Sequence, residues 1–204
     1  MEDLTPASVE FSGDGGLTLR GIRWGEAPAR CLLLHDIGGD LDMWDVVPAA
    51  LAAAGMSALA IDLPGHGLSD DGPELPVGEI VRRCGDQITA MPMVLGMGDS
   101  ADAILHDAAE LRLAGMVGLG PTWRDGDSPA RSPFVPKLLI GRTGIEGEVA
   151  ACRRLTNACG GWAIASSLPT DAPFPEVIAS PLGPMVTDAV VAFCRDCLAR
   201  VPRG

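Results

Sequence analysis

The chain has 204 residues, and nowhere in it is there an apolar run of about 18 residues, so no ordinary membrane-spanning helix is expected. Positive charge is scarce. Fifteen Lys and Arg stand against 27 Asp and Glu, giving a formal net charge of -12. Phosphates and anionic lipid surfaces select Lys and Arg, so the composition argues against a nucleic-acid or membrane partner. The opening MEDLTPASVEF lacks a basic stretch followed by an apolar one, so no secretory signal is expected and the protein is read as cytoplasmic. Internal repeats and low-complexity linkers are also missing. Only three histidines occur, His35, His66 and His106, and none follows Trp162.

What the chain does have is enough apolar material for one core. Hydrophobic residues make up 47% of it, which suits a single domain over 1–204. Its six cysteines are expected as reduced thiols in a cytosolic setting. Cys194 and Cys197 form a lone CxxC inside MVTDAVVAFCRDCLARV, a helical pattern. A redox or metal pair would want a strand-to-helix turn or a second ligand pair, so both read as ordinary helix residues, one of them facing the core. No cofactor and no metal are implied.

Short apolar runs alternate with helical patterns, as in a mostly parallel sheet with helices on both faces. Strands are expected at 17–24, 29–36, 56–67, 92–98, 115–121, 136–142 and 162–169. Helices are expected at 43–55, 77–91, from Asp99 through ADAILHDAAELRLAG, at 147–161 and at 184–201. Asp99 and Ser100 look like a helix start, since both side chains can accept from free first-turn N–H groups. PTWRDGDSPARSPF (121–134) reads as a loop.

Two motifs then point to a family. LLLHDIGGDLDMWDVV looks like a strand, an oxyanion loop and a first covering helix. AIDLPGHGLSDD looks like the following strand and its Asp-x-Pro-Gly-His-Gly-x-Ser turn. Together they resemble the α/β-hydrolase superfamily, and the later strand–helix order extends the resemblance over nearly the whole chain. The resemblance implies a strand ending in G-x-S-x-G, whose sharp turn lifts a nucleophilic serine and whose next N–H stabilises an oxyanion.

Here that strand ends in GMGDS. With Gly96 as the first glycine, the nucleophile position falls on Gly98; a shifted register would use Ser100. The acid position falls on Gly144, with Glu146 two residues on. The base position lies in LPTDAPFP, with Pro173 nearest. His35 and His66 match positions that are usually structural in this family, and His106 lies about two turns into the helix after the elbow. Loss of nucleophile, acid and base together implies that the acyl-enzyme route is absent. About fifteen residues join the strands near 115–121 and 136–142, where members usually insert a cap. The resemblance is therefore to a cap-less member with a degenerate triad.

Ligands in open α/β sheets bind at the carboxyl ends of strands. Asp36, Ile37, Asp40, Asp62, Met97, Gly98 and Asp99 should converge there, with the N–H groups near Ile37 and Asp99 forming an oxyanion-type nest. The candidates for chemistry are Asp99, Asp36 and Ser100. The candidates for binding are His35, Ile37, Met97, Gly98 and Trp44. The blander reading has Asp99 capping its helix, Asp36 steadying its loop, and Trp44 and Met43 packing in the core. Two classes of function follow. One is a non-hydrolytic protein binding a small apolar molecule or a partner chain, with self-association through the uncapped face. The other is an enzyme, using Asp99 or Asp36 as acid or base in a lyase, isomerase or cyclase reaction, or using Ser100 in a weak hydrolase.

Overall fold

The computed structural model describes residues 5–12, 16–122 and 131–201. Its centre is an eight-stranded sheet. The strands are β1 (Ala7–Ser12), β2 (Thr18–Trp24), β3 (Ala29–Leu34), β4 (Ala58–Ile61), β5 (Ile88–Met97), β6 (Gly115–Leu119), β7 (Lys137–Arg142) and β8 (Ala163–Leu168). They lie in the order β1-β2-β4-β3-β5-β6-β7-β8. β3 to β8 pair in parallel, whereas β2 runs antiparallel to β4 and β1 antiparallel to β2. β3, β4 and β6 are buried along almost their whole length, which is why they read as continuous apolar runs.

Six helices cover the sheet. α1 (Val47–Ala53), α5 (Phe174–Ile178) and α6 (Gly183–Leu198) close one face, joined there by Trp44 from a single 3-10 turn, Leu41–Trp44. α2 (Val77–Cys84), α3 (Asp99–Asp107) and α4 (Glu148–Cys159) close the other. The expected fold class, a mostly parallel sheet with helices on both faces, is the one observed.

Several local expectations are corrected. Residues 88–91 are not helix: α2 stops at Cys84, Gly85 takes φ +47°, and β5 begins at Ile88. The helix after the elbow ends at Asp107, well short of Gly115. β1 was not anticipated because it is an edge strand with one buried residue, Phe11. The five-residue α5 was missed as well. Both Cys194 and Cys197 are buried, so the CxxC does not have one core-facing member; all six cysteines are buried free thiols. In the loop 121–134, residues 123–130 lie outside the described residues. Among the described residues of the β6–β7 connection there is no helix. None of the described helices is long and apolar enough to cross a membrane.

Candidate functional site

The site is built at the carboxyl end of β5, where the chain turns sharply into α3. Gly96 allows the turn to be tight. A Cβ there would sit 2.7 Å from the Ala101 amide nitrogen and 2.7 Å from Ile104 Cδ1, so only glycine lets the helix approach the strand this closely. Gly98 stands at the apex with φ 51° and ψ −122°, a backbone conformation that disfavours L side chains. The apex residue, which the resemblance would put at the nucleophile position, has no side chain.

The space a side chain would need is filled from elsewhere. A Cβ built on Gly98 would overlap both oxygens of the Asp36 carboxylate. Asp36 Oδ1 accepts from the Ile37 amide at 2.9 Å and from the Asp99 amide at 2.9 Å. These are the two backbone donors expected to form the oxyanion nest. Their partner is a carboxylate of the protein's own β3–α1 loop.

Ser100 is not poised for attack. It is buried, and its hydroxyl donates to the His35 carbonyl at 2.5 Å, which ties α3 to the end of β3. Nor do Asp99 and Ser100 cap the helix. The N-cap is Gly98 and makes no side-chain cap bond. Asp99 Oδ1 instead accepts from Thr122 Oγ1 at 3.1 Å, and the same hydroxyl lies 2.6 Å from Asp102 Oδ2. Asp102 Oδ2 also accepts from the Thr122 amide at 2.9 Å, while Asp102 Oδ1 is buried without a partner. Burial pushes the Asp102 carboxyl above the usual range; the Thr122 bonds oppose this, and the charges of Asp99 and Asp36 add to it. Asp102 and Thr122 were not anticipated. Asp102 lies three residues after Asp99 on one helix face, a spacing that could have revealed it.

His35 and His66 are each bonded to backbone through both ring nitrogens. The Nδ1–H groups donate to backbone carbonyls, His35 to Asp36 at 2.7 Å and His66 to Pro64 at 2.9 Å. Their Nε2 atoms accept from the Leu63 amide and the Gly38 amide, each at 3.0 Å. Burial holds His35 below the ordinary imidazole range. Both rings therefore fasten the two motif loops together and leave no nitrogen for proton transfer. His106 is exposed and pairs only with neighbouring Asp107 at 2.9 Å.

Gly144 and the loop after β8 meet directly. The Gly144 amide donates to the Thr170 carbonyl at 3.0 Å, and a Cβ on Gly144 would press on Asp171. The acid beside Gly144 is Asp171, exposed in the loop after β8; Glu146 is exposed, and Pro173 is the N-cap of α5. The nearby ion pair is structural. Arg142 binds the buried Glu148 at 2.7 Å, also donates to the Ala172 carbonyl at 3.1 Å, and sits 5.3 Å from the Phe174 ring centroid.

A cavity of about 270 Å³ opens beside the elbow, between α2, α3 and the 63–75 loop. Ile37, Asp99, Ser100 and His66 line it, with apolar walls from Leu75, Val77 and Ile80 among others. Trp44 and Met97 do not reach it. Both are buried on the opposite face of the sheet among the helices that include α6: Met97 because side chains alternate along β5, and Trp44 because its 3-10 turn packs on that face. Among the described residues, no three His, Cys, Asp or Glu side chains are arranged to hold a metal ion.

The fold is that of the α/β-hydrolases. The structure is similar to a predicted CIB-like hydrolase from Thermoplasma acidophilum, with TM-score 0.76, 16% identity, and coverage of 94% of this chain and 100% of that one. It is likewise similar to an esterase from Pyrococcus furiosus (TM-score 0.70, 14% identity, 96% and 92% covered). A third likeness is to the enol-lactonase from Burkholderia xenovorans LB400 (TM-score 0.70, 18% identity, 91% and 99% covered).

In sequence, 68 residues are 38% identical to the dihydrolipoyllysine-residue acetyltransferase component of the acetoin cleaving system of Cupriavidus necator, covering 33% of this chain and 18% of that protein. A stretch of 48 residues is 46% identical to an esterase of Mycobacterium tuberculosis, covering 24% of this chain and 15% of that protein. The match thus spans less than a fifth of either curated relative. No known protein-family profile matches the chain.

Proposed function

We propose that this is a non-hydrolytic site that binds a small, largely apolar molecule. One observation carries the reading: the elbow apex is Gly98, and Asp36 Oδ1 takes both backbone donors that an acyl oxyanion would need. A substrate carbonyl would have to displace a carboxylate from the nest and would then meet no nucleophile. Two of the similar proteins are named esterases, but Ser100, the residue that would have to attack here, is turned towards the His35 carbonyl. What supports binding is the cavity beside the elbow, apolar in most of its lining and near the small end of the usual ligand-pocket range.

The test is turnover of short acyl p-nitrophenyl esters and acyl thioesters, with labelling by a fluorophosphonate probe, for wild type and Ser100→Ala. The expected result is no turnover above buffer and no labelling in either protein. Turnover abolished by Ser100→Ala would overturn the reading. A second reading, carboxylate acid–base chemistry, is favoured by the Asp36 carboxylate standing where a nucleophile would stand. That reading requires Asp36→Asn to abolish an activity that Ser100→Ala leaves intact.

A further inference from the structure

We propose that the cavity beside the elbow takes a small organic cation, an ammonium group carried on an apolar body. This rests on the binding reading above and adds the charge and shape of the ligand. The body of the cavity is apolar, with Leu34, Leu75, Val77, Ile80 and Ala103 supplying wall. Its ionisable lining is acidic: Glu74 and Asp99 face it, and among the described residues no Lys or Arg does. His66 also lines it, but both of its ring nitrogens are already bonded to backbone.

The feature of an α/β sheet that would attract an anion here is the pair of amides at Ile37 and Asp99. Asp36 occupies that pair, and so places a third carboxylate next to Ile37 and Asp99 of the lining. Asp102 lies behind Asp99 across Thr122, close enough for Asp99 and Asp36 to oppose its ionisation. The neighbouring cation Arg142 is bound to the buried Glu148; it offsets the charge of Asp36 in part but does not line the cavity, where Glu74 and Asp99 face the ligand. An anionic ligand would meet repulsion and find no free donor pair. A neutral one would gain only the walls. An ammonium would gain the walls and a hydrogen bond to Asp99, whose Oδ1 alone is used, by Thr122, among the described residues.

Calorimetric titration of the purified full chain with hexylamine, hexanol and hexanoate at pH 7 tests this. Hexylamine should bind at least tenfold more tightly than hexanol, weaken with added salt, and leave hexanoate without measurable binding. Asp99→Asn combined with Glu74→Gln should bring hexylamine down to the affinity of hexanol. Ala103→Phe, which fills the cavity, should remove binding of both, with circular dichroism confirming that the variant is folded. Equal binding of hexylamine and hexanol, both lost in Ala103→Phe, overturns the cation inference and leaves the binding reading standing. Hexanoate binding as well as hexylamine, amine binding that survives Ala103→Phe, or no binding of any of the three, also overturns it. The binding reading itself falls separately, on acyl turnover that depends on Ser100.

Discussion

Two carboxylates in this molecule do the same thing with opposite consequences. Asp62 accepts from the Leu41 amide and the Leu68 amide, each at 2.8 Å, and a Cβ on Gly67 would overlap it. Asp36 accepts from the amides of Ile37 and Asp99, and a Cβ on Gly98 would overlap it. Both glycines have positive φ, +50° and +51°. Asp62 uses both oxygens and is 2% exposed, so it is a permanent tie between the two motif loops. Asp36 uses one oxygen for both donors and is half-buried, next to Ile37 and Asp99 of the cavity lining. One motif, a carboxylate in a nest against a glycine, serves as a staple in the first place and as a stopper in the second.

The comparison breaks first at the staple. Asp62→Ala leaves two amides without their charged acceptor in a buried setting, which should cost about 3–5 kcal/mol. Urea denaturation should show the loss as a lower midpoint with an unchanged slope. Gly67→Ala and Gly98→Ala come next. Both impose a side chain on a positive φ, at about 1–2 kcal/mol. Gly67→Ala should cost more, because Asp62 cannot yield without surrendering its bonds, whereas Asp36 can swing towards solvent. Adding Asp36→Gly to Gly98→Ala should recover part of the loss. An equal cost at the two glycines would sink the distinction between staple and stopper.

The two motif loops that the staple ties are legible in the sequence; Asp62 is expected only among residues converging at the strand ends, and the stopper is not expected. LLLHD and AIDLPGHG are contiguous motifs, and their buried strands announce themselves as apolar runs. The placement of Gly98 at the elbow apex also follows from counting along one strand end. The plugging of the nest depends on Asp36 and Gly98, which are 62 positions apart and meet only because β3 and β5 are paired in register, Leu34 opposite Gly96. No local pattern carries that. The missed β1 and the misread 88–91 have simpler causes. β1 exposes most of its side chains to solvent, so it lacks the apolar signal of an inner strand. In ITAM the helical spacing of the preceding segment ran on past Gly85, whose positive φ ends α2.

A smaller effect joins the two regions. His35 bridges them, donating to the Asp36 carbonyl and accepting from the Leu63 amide. Its folded pKa is lowered from 6.5, chiefly by burial. The unfolded chain therefore binds the proton more readily, and stability should fall as pH drops below about 6.5, levelling only beneath the folded value. Thermal midpoints measured from pH 7.5 to 5 should show this decline. His35→Gln should flatten it, at the cost of a lower midpoint at pH 7.5. A decline that persists unchanged in His35→Gln would place its origin in another group.

The smallest stability change belongs to the stopper, and there the effect should appear in binding instead. Asp36→Ala removes a half-buried acceptor whose two amide partners lie at an exposed site that water can reach, so the loss should be about 1 kcal/mol or less. The same change leaves the Ile37 and Asp99 amides free and removes one of the three nearby negative charges. A small monoanion such as methylphosphonate, which wild type should ignore, should then gain affinity by about tenfold or more, the scale of one or two charge-assisted hydrogen bonds. Asp62→Ala, by contrast, should open no ordered anion site, because the same change breaks the tie that holds the Leu41 and Leu68 amides together. Phosphorus-31 line broadening measured on wild type and both variants separates the outcomes. Anion binding unchanged by Asp36→Ala would mean that the two amides are not held as a nest without their carboxylate, and that Asp36 is a second staple.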